Sequence, residues 1–418
     1  MRPSRAVTPS STSVSPTGRR SRGSSERGDA EVTRPLVEVD PAPEAVLAAV
    51  RAALDGSGPA VRIAAPGAAA LTENAVVPRQ VALVVETSGS SGPPKRVALS
   101  ASALVASASA SLAEFGGPGR WLLCLPTHYI AGVQVLVRSL VAEATPVLLP
   151  SGHFEADAFF ALARTMPASE RRYASLVPVQ LARLLDAAEQ DVAAATALRS
   201  YDALVVGGQA IPVALCERAT ALGVRIRLSY GSSETAGGCV YDGVPLRDVR
   251  MRVEEGQLLL GGPTLAEGYV TADGAIDHAR TASVFTVIDG ERWYRTGDAG
   301  SITEGRLRVT GRLDRVIVSG GEKVSLDAVE TVLREGPVPD ALVVSRPDEQ
   351  WGEVPVVVTT VVSVELRTLR TVLTARLGRA AAPAAVLTVA AVPMLASGKP
   401  DRTELERLAA RGPNGPTG

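Results

Sequence analysis

The chain has 418 residues, enough for two ordinary domains, and hydrophobic residues make up 46% of it. The net charge of −1 argues against a general nucleic-acid binder, and three widely spaced cysteines without a Cys-x-x-Cys pair predict neither a zinc site nor a disulfide framework. Because no apolar run reaches the ~18 residues of a transmembrane helix, we expect a cytoplasmic protein without membrane insertion.

The first predicted elements are a tail, a helix and an alternating region. Residues 1–33 contain few large apolar side chains, so they cannot bury enough surface to offset their ordering entropy, and we predict a disordered tail. Residues 41–54 place apolar side chains on one helical face. From about 60 to 313, short Val- and Leu-rich strands alternate with Ala-rich helices, which is typical of α/β architecture.

Within this region, the apolar and β-branched run 81–85 predicts a buried strand. Proline at the head of 178–188 and of 212–222 suits the first turn of a helix. Short alternating runs between 249 and 310 predict antiparallel strands. The other predicted strands are 121–125, 146–149, 174–177, 203–206, 257–260 and 306–309.

After residue 314 the pattern changes to that of a small α+β domain. Its predicted helices are 327–334 and 366–377, its predicted strands are 341–345 and 354–364, and residues 403–418 predict a short helix with a Gly/Pro tail. The predicted division is a tail (1–33), a large domain (34–313), a small mobile domain (314–408) and a second tail (409–418).

The segment after the strand 81–85 is rich in Gly and Ser and ends in a lysine. Glycines let backbone N–H groups approach an anion, hydroxyls add donors and the lysine adds charge. It is not a Walker A loop, because Pro93 and Pro94 stand where that motif continues. A flexible Ser/Gly linker is the alternative. The predicted phosphate ligands are Thr87, Ser88, Gly89, Ser90, Ser91, Gly92 and Lys95.

This loop resembles the phosphate-binding signature of the adenylate-forming superfamily, which includes acyl-CoA synthetases, adenylation domains and luciferases. Further segments resemble motifs of that superfamily in the same order: Ser-Tyr-Gly-Ser-Ser-Glu-Thr (229–235), Trp-Tyr-Arg-Thr-Gly-Asp (293–298), Gly-Arg-Leu-Asp-Arg (311–315) with Ser-Gly-Gly-Glu-Lys-Val (319–324), and Ser-Gly-Lys-Pro-Asp-Arg (397–402). Residues 125–132 and 234–246 are similar to the short o-succinylbenzoate–CoA ligases of actinobacteria, enzymes of menaquinone biosynthesis with a truncated N-terminal region.

The resemblance implies a large α/β domain with a small β-barrel-like part, followed by a small mobile α+β domain. It also implies a reaction in two steps that uses ATP, Mg²⁺ and coenzyme A. A substrate carboxylate attacks the α-phosphorus of ATP and releases pyrophosphate, and the thiol of coenzyme A then displaces AMP. The first step joins two anions, so the site must supply positive charge and donors along the phosphates.

The resemblance assigns roles to single residues. Lys399 bridges the substrate carboxylate and the α-phosphate, and Glu234 binds Mg²⁺, a cation that prefers oxygen ligands. Tyr230 stacks on adenine, Asp298 accepts hydrogen bonds from the ribose, and Arg312 reaches the ribose or phosphate. The nucleotide site is completed by Gly231, Ser232 and Ser233. The alternatives are a loop lysine, a surface glutamate, a core tyrosine and a turn aspartate.

The acyl pocket and the hinge follow from the same resemblance. His128 orients the carboxylate or gates the pantetheine channel, unless it is a structural histidine. A second substrate carboxylate needs a cationic or multi-donor partner that the sequence does not identify. Asp314 is the predicted hinge, and Gly320 and Gly321 are presented to the coenzyme A channel after the small domain swings. The remaining pocket residues are Gly207, Gly208, Gln209, Gly237 and Gly238, with room for an aromatic ring next to the last two.

Three positions depart from the common pattern of the superfamily: Ser91 and Ser233 stand where threonine is frequent, and Arg96 where glycine is common. The function most favoured is ligation of o-succinylbenzoate, a small aromatic carboxylic acid, to coenzyme A, and the protein could form a homodimer. Another aryl- or acyl-CoA ligase, a stand-alone adenylation enzyme that loads a carrier protein, and a non-catalytic nucleotide-binding protein remain as alternatives.

Overall fold

The computed structural model describes residues 33–65, 67–87, 94–150, 152–395 and 399–411. The predicted tail 1–33 lies outside these residues except for Thr33, and most of the second predicted tail, 412–418, also does. Among the helices of the described residues, none combines the length and apolar character needed to cross a membrane.

The helices are α1 (Pro43–Asp55), α2 (Ala101–Glu114), α3 (Ile130–Val141), α4 (Ala156–Ala163), α5 (Pro178–Gln190), α6 (Val192–Arg199), α7 (Val213–Ala221), α8 (His278–Val284), α9 (Leu326–Arg334), α10 (Leu366–Leu377) and α11 (Arg402–Ala410). The strands of the first half are β1 (Thr33–Val39), β2 (Ala60–Ile63), β3 (Val76–Pro78), β4 (Val81–Thr87), β5 (Lys95–Ser100), β6 (Arg120–Leu123), β7 (Val147–Leu148), β8 (Arg172–Leu176), β9 (Ala203–Val206), β10 (Ile226–Ser232), β11 (Gly237–Tyr241) and β12 (Val244–Pro245). The strands of the second half are β13 (Arg250–Glu254), β14 (Gln257–Gly261), β15 (Gly268–Val270), β16 (Phe285–Ile288), β17 (Glu291–Thr303), β18 (Arg306–Arg312), β19 (Val316–Ser319), β20 (Glu322–Ser325), β21 (Leu342–Asp348), β22 (Gly352–Thr359) and β23 (Ala385–Thr388).

Two mixed sheets form the centre of the large part. The first has the order β15-β5-β4-β2-β1-β3, and the second has the order β12-β11-β10-β9-β8-β6-β7. The five strands from β10 to β7 are parallel, as the alternation of strands and helices predicts. Side chains of α1, α2 and α3 join both sheets in one hydrophobic core, and a second core lies under α4 to α7.

Two smaller sheets follow. The first is antiparallel, with the order β13-β14-β17-β16 and with β18 paired to β17, and it occupies the part predicted to be β-barrel-like. The second has the order β20-β19-β22-β21, with β23 parallel to β22. Its core includes Val329 and Leu333 of α9 and Leu369 and Leu373 of α10. The predicted α/β class with a small α+β part at the C-terminal end is confirmed.

Most predicted elements occur within a few residues of their expected bounds, but three differences are informative. The strand predicted over 354–364 ends at Thr359, because the side chain of Asp340 accepts the next backbone N–H, that of Thr360, at 2.7 Å. The strand β1 was missed, since Leu36 is its only buried residue and no alternating pattern marks it. Helix α11 continues to Ala410, past the predicted domain end at 408.

Candidate active site

The predicted phosphate segment includes the last residue of β4 and the first residue of β5, two strands that pair antiparallel. Thr87, the last residue of β4, lies opposite Lys95, the first residue of β5. The ammonium nitrogen of Lys95 lies 5.9 Å from the centroid of the Tyr269 ring. The hairpin therefore holds one hydroxyl and one cation at the same end of the sheet. Five predicted ligands lie outside the described residues: Ser88, Gly89, Ser90, Ser91 and Gly92.

Glu234 lies in the 3₁₀ turn Ser233–Thr235 that follows β10, and it is only 7% exposed. The hydroxyl of Tyr269 donates a hydrogen bond of 2.7 Å to Glu234 Oε1. Burial and then the negative charge of Glu234 raise the pKa of Tyr269, so the phenol stays protonated and remains a donor. The Ser232 N–H donates to the Thr235 hydroxyl at 2.9 Å and holds the turn in place. The carboxylate of Glu234 is thus held in one orientation.

Tyr269 was not found by sequence reasoning. It lies 35 residues from Glu234 along the chain, on the short strand β15 that pairs with β5. The pairing of β15 with β5 brings Tyr269 beside the phosphate hairpin, and only the tertiary structure contains this information.

Tyr230, Asp298 and Arg312 form one polar cluster. The Tyr230 hydroxyl donates to Asp298 Oδ2, and Arg312 Nη1 donates to Asp298 Oδ1 at 3.2 Å. Strand register explains part of this arrangement, because β17 and β18 pair Asp298 directly with Arg312. Burial raises the pKa of Asp298, while the hydrogen bond from Tyr230 and the charge of Arg312 oppose that shift. Three residues predicted for the nucleotide site therefore lie in direct contact.

The predicted hinge adjoins this cluster. Arg312 Nε and Nη2 donate to the two carboxylate oxygens of Asp314 at 3.1 and 2.9 Å. This bidentate contact lowers the pKa of Asp314. Asp327 Oδ2 accepts the backbone N–H of Arg312 at 2.7 Å and so connects α9 with the end of β18. The hinge role of Asp314 stays a prediction.

Lys399 follows residues 396–398, which lie outside the described residues. The backbone N–H of Leu395 donates to the Lys399 carbonyl at 2.8 Å and ties the two sides of this turn together. The Lys399 side chain retains contact with solvent. Its pKa is nevertheless lowered, first by desolvation from the surrounding protein and second by the positive charge of Arg312. Lys399 therefore lies within electrostatic reach of the Tyr230–Asp298–Arg312 cluster.

His128 lies between β6 and α3 and is half-buried, with its ring centroid 4.2 Å from that of Tyr129. Burial lowers the pKa of His128, so its imidazole is neutral near pH 7. Gly207 follows β9, and a Cβ at this position would lie 3.0 Å from the Ser229 carbonyl oxygen. Gly208 has a φ of +86°, which a larger residue would adopt only with strain, and Gln209 beside it is partly exposed.

Gly237 and Gly238 begin β11, where it pairs with the end of β10. A Cβ on Gly238 would lie 2.2 Å from Ser229 Oγ and 2.6 Å from the Tyr241 hydroxyl. A Cβ on Gly231 would lie 2.1 Å from the Gly237 carbonyl oxygen. Protein atoms stand where a Cβ of Gly238 would lie, so this position excludes a larger residue and permits close packing of β10 against β11. The predicted room for an aromatic ring beside Gly237 and Gly238 stays a prediction.

Gly320 and Gly321 form the turn between β19 and β20, with φ values of +58° and +86°. The Gly320 N–H donates to the Trp351 carbonyl at 2.8 Å, and a Cβ on Gly320 would lie 2.5 Å from the indole ring. This contact is within the small C-terminal part. The structure does not place these glycines with the nucleotide cluster, so their predicted role at the coenzyme A channel stays a prediction.

Arg138 on α3 is a buried cation that sequence reasoning missed. It is 3% exposed and lies with its guanidinium carbon 4.9 Å from the centroid of the Trp121 ring. Arg138 Nε donates to Ser111 Oγ at 2.9 Å, and Nη2 donates to the Tyr241 hydroxyl at 3.1 Å. Burial lowers its pKa, but an arginine stays charged in proteins. Among the described residues, Arg138 pairs with hydroxyls and with no carboxylate.

The position of Arg138 relates it to the predicted acyl pocket. The Tyr241 hydroxyl, which accepts from Arg138, lies against Gly238 at the start of β11. A buried charge without a counter-ion is costly unless something compensates it. The Tyr241 hydroxyl therefore lies between Arg138 and Gly238 and contacts both. Among the described residues, Arg138 has no carboxylate partner. Its only sequence signal is an arginine among the apolar residues of α3.

The chain matches two family models. Residues 13–270 match the model described as AMP-binding enzyme, and residues 328–399 match the model described as AMP-binding enzyme C-terminal domain. The chain is also 39% identical to the probable 2-succinylbenzoate–CoA ligase of Mycobacterium tuberculosis, over 87% of this chain and 95% of that protein.

Solved structures resemble the chain as well. A variant of E. coli MenE with bound OSB-AMS aligns with a TM-score of 0.70 and 26% identity, over 92% of this chain and 90% of that one. The o-succinylbenzoate coenzyme A synthetase MenE of Bacillus subtilis, in complex with ATP and magnesium ion, aligns with a TM-score of 0.65 and 27% identity, over 78% of this chain and 70% of that one.

Proposed function

Because the chain belongs to the family of AMP-binding enzymes, we propose that it is a 2-succinylbenzoate–CoA ligase of menaquinone biosynthesis. It is an AMP-forming acid–CoA ligase that uses ATP, Mg²⁺ and coenzyme A. The observation that carries this proposal is the direct contact of Tyr230, Asp298 and Arg312 in one cluster, in a chain that is similar to such a ligase over nearly its whole length. Desolvation and, second, the charge of Arg312 lower the pKa of Lys399.

The first half-reaction joins the substrate carboxylate to the α-phosphorus of ATP, with loss of pyrophosphate. Lys399 supplies a positive charge between these two anions, which stabilises the charge that builds up in the transition state. Asp298 accepts hydrogen bonds from the ribose, Arg312 orients Asp298, and Tyr230 lies against the adenine. Thr87 and Lys95 hold the β- and γ-phosphates from the end of the hairpin.

Glu234 suits a divalent cation, because its buried carboxylate offers a hard oxygen ligand in a fixed orientation. When bound, Mg²⁺ neutralises phosphate charge during adenylation. The described residues contain no group of three or more His, Cys, Asp or Glu that could hold a metal. We therefore assign one protein ligand, Glu234 Oε2, and leave the other positions to phosphate oxygens and water.

Arg138 is the partner that we assign to the second carboxylate of 2-succinylbenzoate. It is a permanent cation without a described carboxylate partner, and its ligand Tyr241 lies next to Gly238 in the predicted acyl pocket. A carboxylate in this pocket would compensate the buried charge through Tyr241 or an ordered water. A monocarboxylic acid lacks that anion, so Arg138 favours a dicarboxylate. His128, neutral near pH 7, lines the same pocket.

The second half-reaction requires the thiol of coenzyme A to reach the acyl carbon and expel AMP. We propose that the small domain, residues 314–408, then rotates about Asp314. The rotation would withdraw Lys399 and bring Gly320 and Gly321 to the coenzyme A channel. The homodimer stays a prediction.

The test is to measure coenzyme A thioester and AMP formed from ATP, Mg²⁺, coenzyme A and each of three acids: 2-succinylbenzoate, benzoate and a fatty acid. We expect turnover with 2-succinylbenzoate and its loss in Lys399→Ala. Turnover only with another acid would identify a different acid–CoA ligase. An adenylate that coenzyme A does not attack would indicate an enzyme that loads a carrier protein, and no adenylate at all would reject an enzymatic function.

A further inference from the structure

Four charged residues form a rung across the four adjacent strands β1, β2, β4 and β5. Arg62 Nη1 lies 2.6 Å from Glu38 Oε2, and Arg62 Nη2 lies 2.8 Å from Glu86 Oε2. Arg96 Nε lies 2.8 Å from the other oxygen, Glu86 Oε1. Glu86 therefore lies between two arginines, with a hydrogen bond from Arg62 of β2 and an ion pair with Arg96 of β5, whose Nε is not aligned for a hydrogen bond. We call these four residues the charged rung.

The charged rung is largely excluded from water. The side chain of Arg62 is fully buried, and the side chains of Glu86 and Arg96 are 7% and 16% exposed. Ion pairs in such surroundings are weakly screened by solvent, so removing one partner leaves an uncompensated charge. Glu86 is the central member, because it alone contacts the charged residues of both β2 and β5.

Two residues of the charged rung, Glu86 and Arg96, lie on the two strands of the phosphate hairpin. Glu86 pairs with Arg96 across β4 and β5, and the next pair toward the turn is Thr87 with Lys95. The ionic contact therefore joins the two stems of the hairpin one residue before the predicted phosphate ligands begin. The backbone pairing of β4 with β5 sets the spacing of the two stems, and the Glu86–Arg96 contact adds a side-chain link across them at the pair next to Thr87 and Lys95.

Arg96 occupies a position where glycine is common in the superfamily. Its φ is not in the left-handed region, so the backbone does not require glycine here. The charge of Arg96 is compensated by Glu86, which faces it across the hairpin. Arg96, which stands where glycine is common, thus has an acidic partner on the opposite strand.

We propose that the Glu86–Arg96 pair, anchored by Arg62, is a positioning device that sets the two stems of the phosphate hairpin for binding of the β- and γ-phosphates of ATP. It rests on the proposed function, because the hairpin has this task only in an ATP-dependent enzyme. Neither residue contacts a reacting atom. They act through Thr87 and Lys95.

The test compares binding of ATP with binding of AMP, which lacks the β- and γ-phosphates. Calorimetric titrations with Mg·ATP and with AMP use the full-length wild type, Glu86→Gln, Arg96→Gln and the double variant. We expect each single substitution to weaken ATP about tenfold and AMP less than twofold. The double variant should bind ATP no more weakly than Glu86→Gln alone, because Glu86→Gln already removes the ion pair with Arg96 as well as the one with Arg62. Arg96→Lys, which keeps the charge, should restore part of the affinity.

Glu170→Gln is the control, because Glu170 pairs with Arg120 at the same distance of 2.8 Å, at the start of β6 in the other large sheet and in a more exposed place. It should leave both affinities unchanged. Equal losses for ATP and AMP would show a merely structural role and overturn the proposal. A loss in Arg96→Gln without one in Glu86→Gln would also overturn it, since Arg96 would then contact phosphate directly.

These titrations separate the proposal from the proposed function. If the wild type binds ATP but forms no thioester from 2-succinylbenzoate, the substrate assignment fails while the ATP and AMP comparison still decides the role of the rung. If the wild type binds no ATP, both are contradicted.

Discussion

Arg138 and Lys399 are both cations without a carboxylate partner among the described residues, but their surroundings are opposite. Arg138 is packed inside the large part, against Trp121 and two hydroxyls. Lys399 lies on a turn of the small C-terminal part and retains contact with solvent. We propose that this difference reflects one site that uses a fixed charge to recognise its substrate and a movable charge to accelerate one step. In this proposal the fixed charge serves both half-reactions, and the movable charge serves only adenylation.

Lysines are rare in this chain, and their positions are therefore informative. The chain contains only three, Lys95, Lys323 and Lys399, while its other permanent cations are arginines. Two of the three lie in segments that we assign to the polyphosphate or to the reacting carboxylate. An ammonium is a compact charge on a flexible stem, and it can follow a group that changes its charge during reaction.

The largest expected effect comes from Lys399→Ala. Loss of the movable charge should slow adenylate formation about 10³-fold, as removal of a transition-state stabilising group does. The measurement is pyrophosphate release with 2-succinylbenzoate and ATP before coenzyme A is added. Lys323→Ala, also on the small part, is the matched control for this step and should keep the wild-type rate. An equal rate in Lys399→Ala and the wild type would show that the charge of Lys399 does not accelerate adenylation.

The next effect comes from Arg138→Gln. We expect a KM for 2-succinylbenzoate about 30-fold higher, because a charge-assisted contact to the second carboxylate is lost. The KM for any monocarboxylic acid that the enzyme accepts should change less than threefold. The KM for ATP and the thermal unfolding midpoint serve as controls for folding. A uniform loss for all acids would mean that Arg138 supports the fold and not the substrate.

A smaller effect is expected from Tyr269→Phe. Without the hydroxyl that fixes Glu234, the Mg²⁺ concentration for half-maximal adenylation should rise about fivefold, or about 1 kcal/mol. Tyr201→Phe is a suitable control, since Tyr201 is equally buried but belongs to the core under α4 to α7. An unchanged Mg²⁺ requirement would separate Tyr269 from the metal site.

The smallest effect concerns pH. Lys399 must be protonated to act, and its pKa is lowered by desolvation and by Arg312. Adenylation should therefore decline with rising pH at a lower value than an ordinary lysine would give, because the cation is lost as pH passes through the lowered pKa. Lys399→Arg, whose charge persists, should lose this alkaline decline while keeping part of the rate. The same alkaline decline in Lys399→Arg would assign it to another group.

The sequence predicted the parts of the molecule that depend on local pattern. Apolar β-branched runs located β4 and β9, and proline at a first turn located α5. The resemblance of short motifs placed Tyr230, Asp298, Arg312 and Lys399 in one site. The structure brings the first three into direct contact, and the place of Lys399 beside them stays a prediction. Each such signal lies within a few consecutive residues, so no tertiary information is needed.

The features that were missed depend on contacts between distant segments. Tyr269 meets Glu234 only because β15 pairs with β5, and Arg138 meets Tyr241 across 103 residues. The contact between the Tyr241 hydroxyl and Gly238 likewise depends on how the chain folds back, and a Cβ on Gly238 would lie 2.6 Å from that hydroxyl. Composition and periodicity predict which residues of one helix or strand are buried. They do not predict which other helix or strand packs against those residues.

The most direct test of the central claim uses chemically prepared 2-succinylbenzoyl-adenylate. The measurement is the rate of coenzyme A thioester formation from this adenylate by the wild type, Lys399→Ala and Arg138→Gln, without ATP. We expect a nearly normal rate for Lys399→Ala and a raised KM for the adenylate in Arg138→Gln. A Lys399→Ala enzyme that is as impaired here as in adenylation, or an Arg138→Gln enzyme that is unaffected, would contradict the division between a movable and a fixed charge.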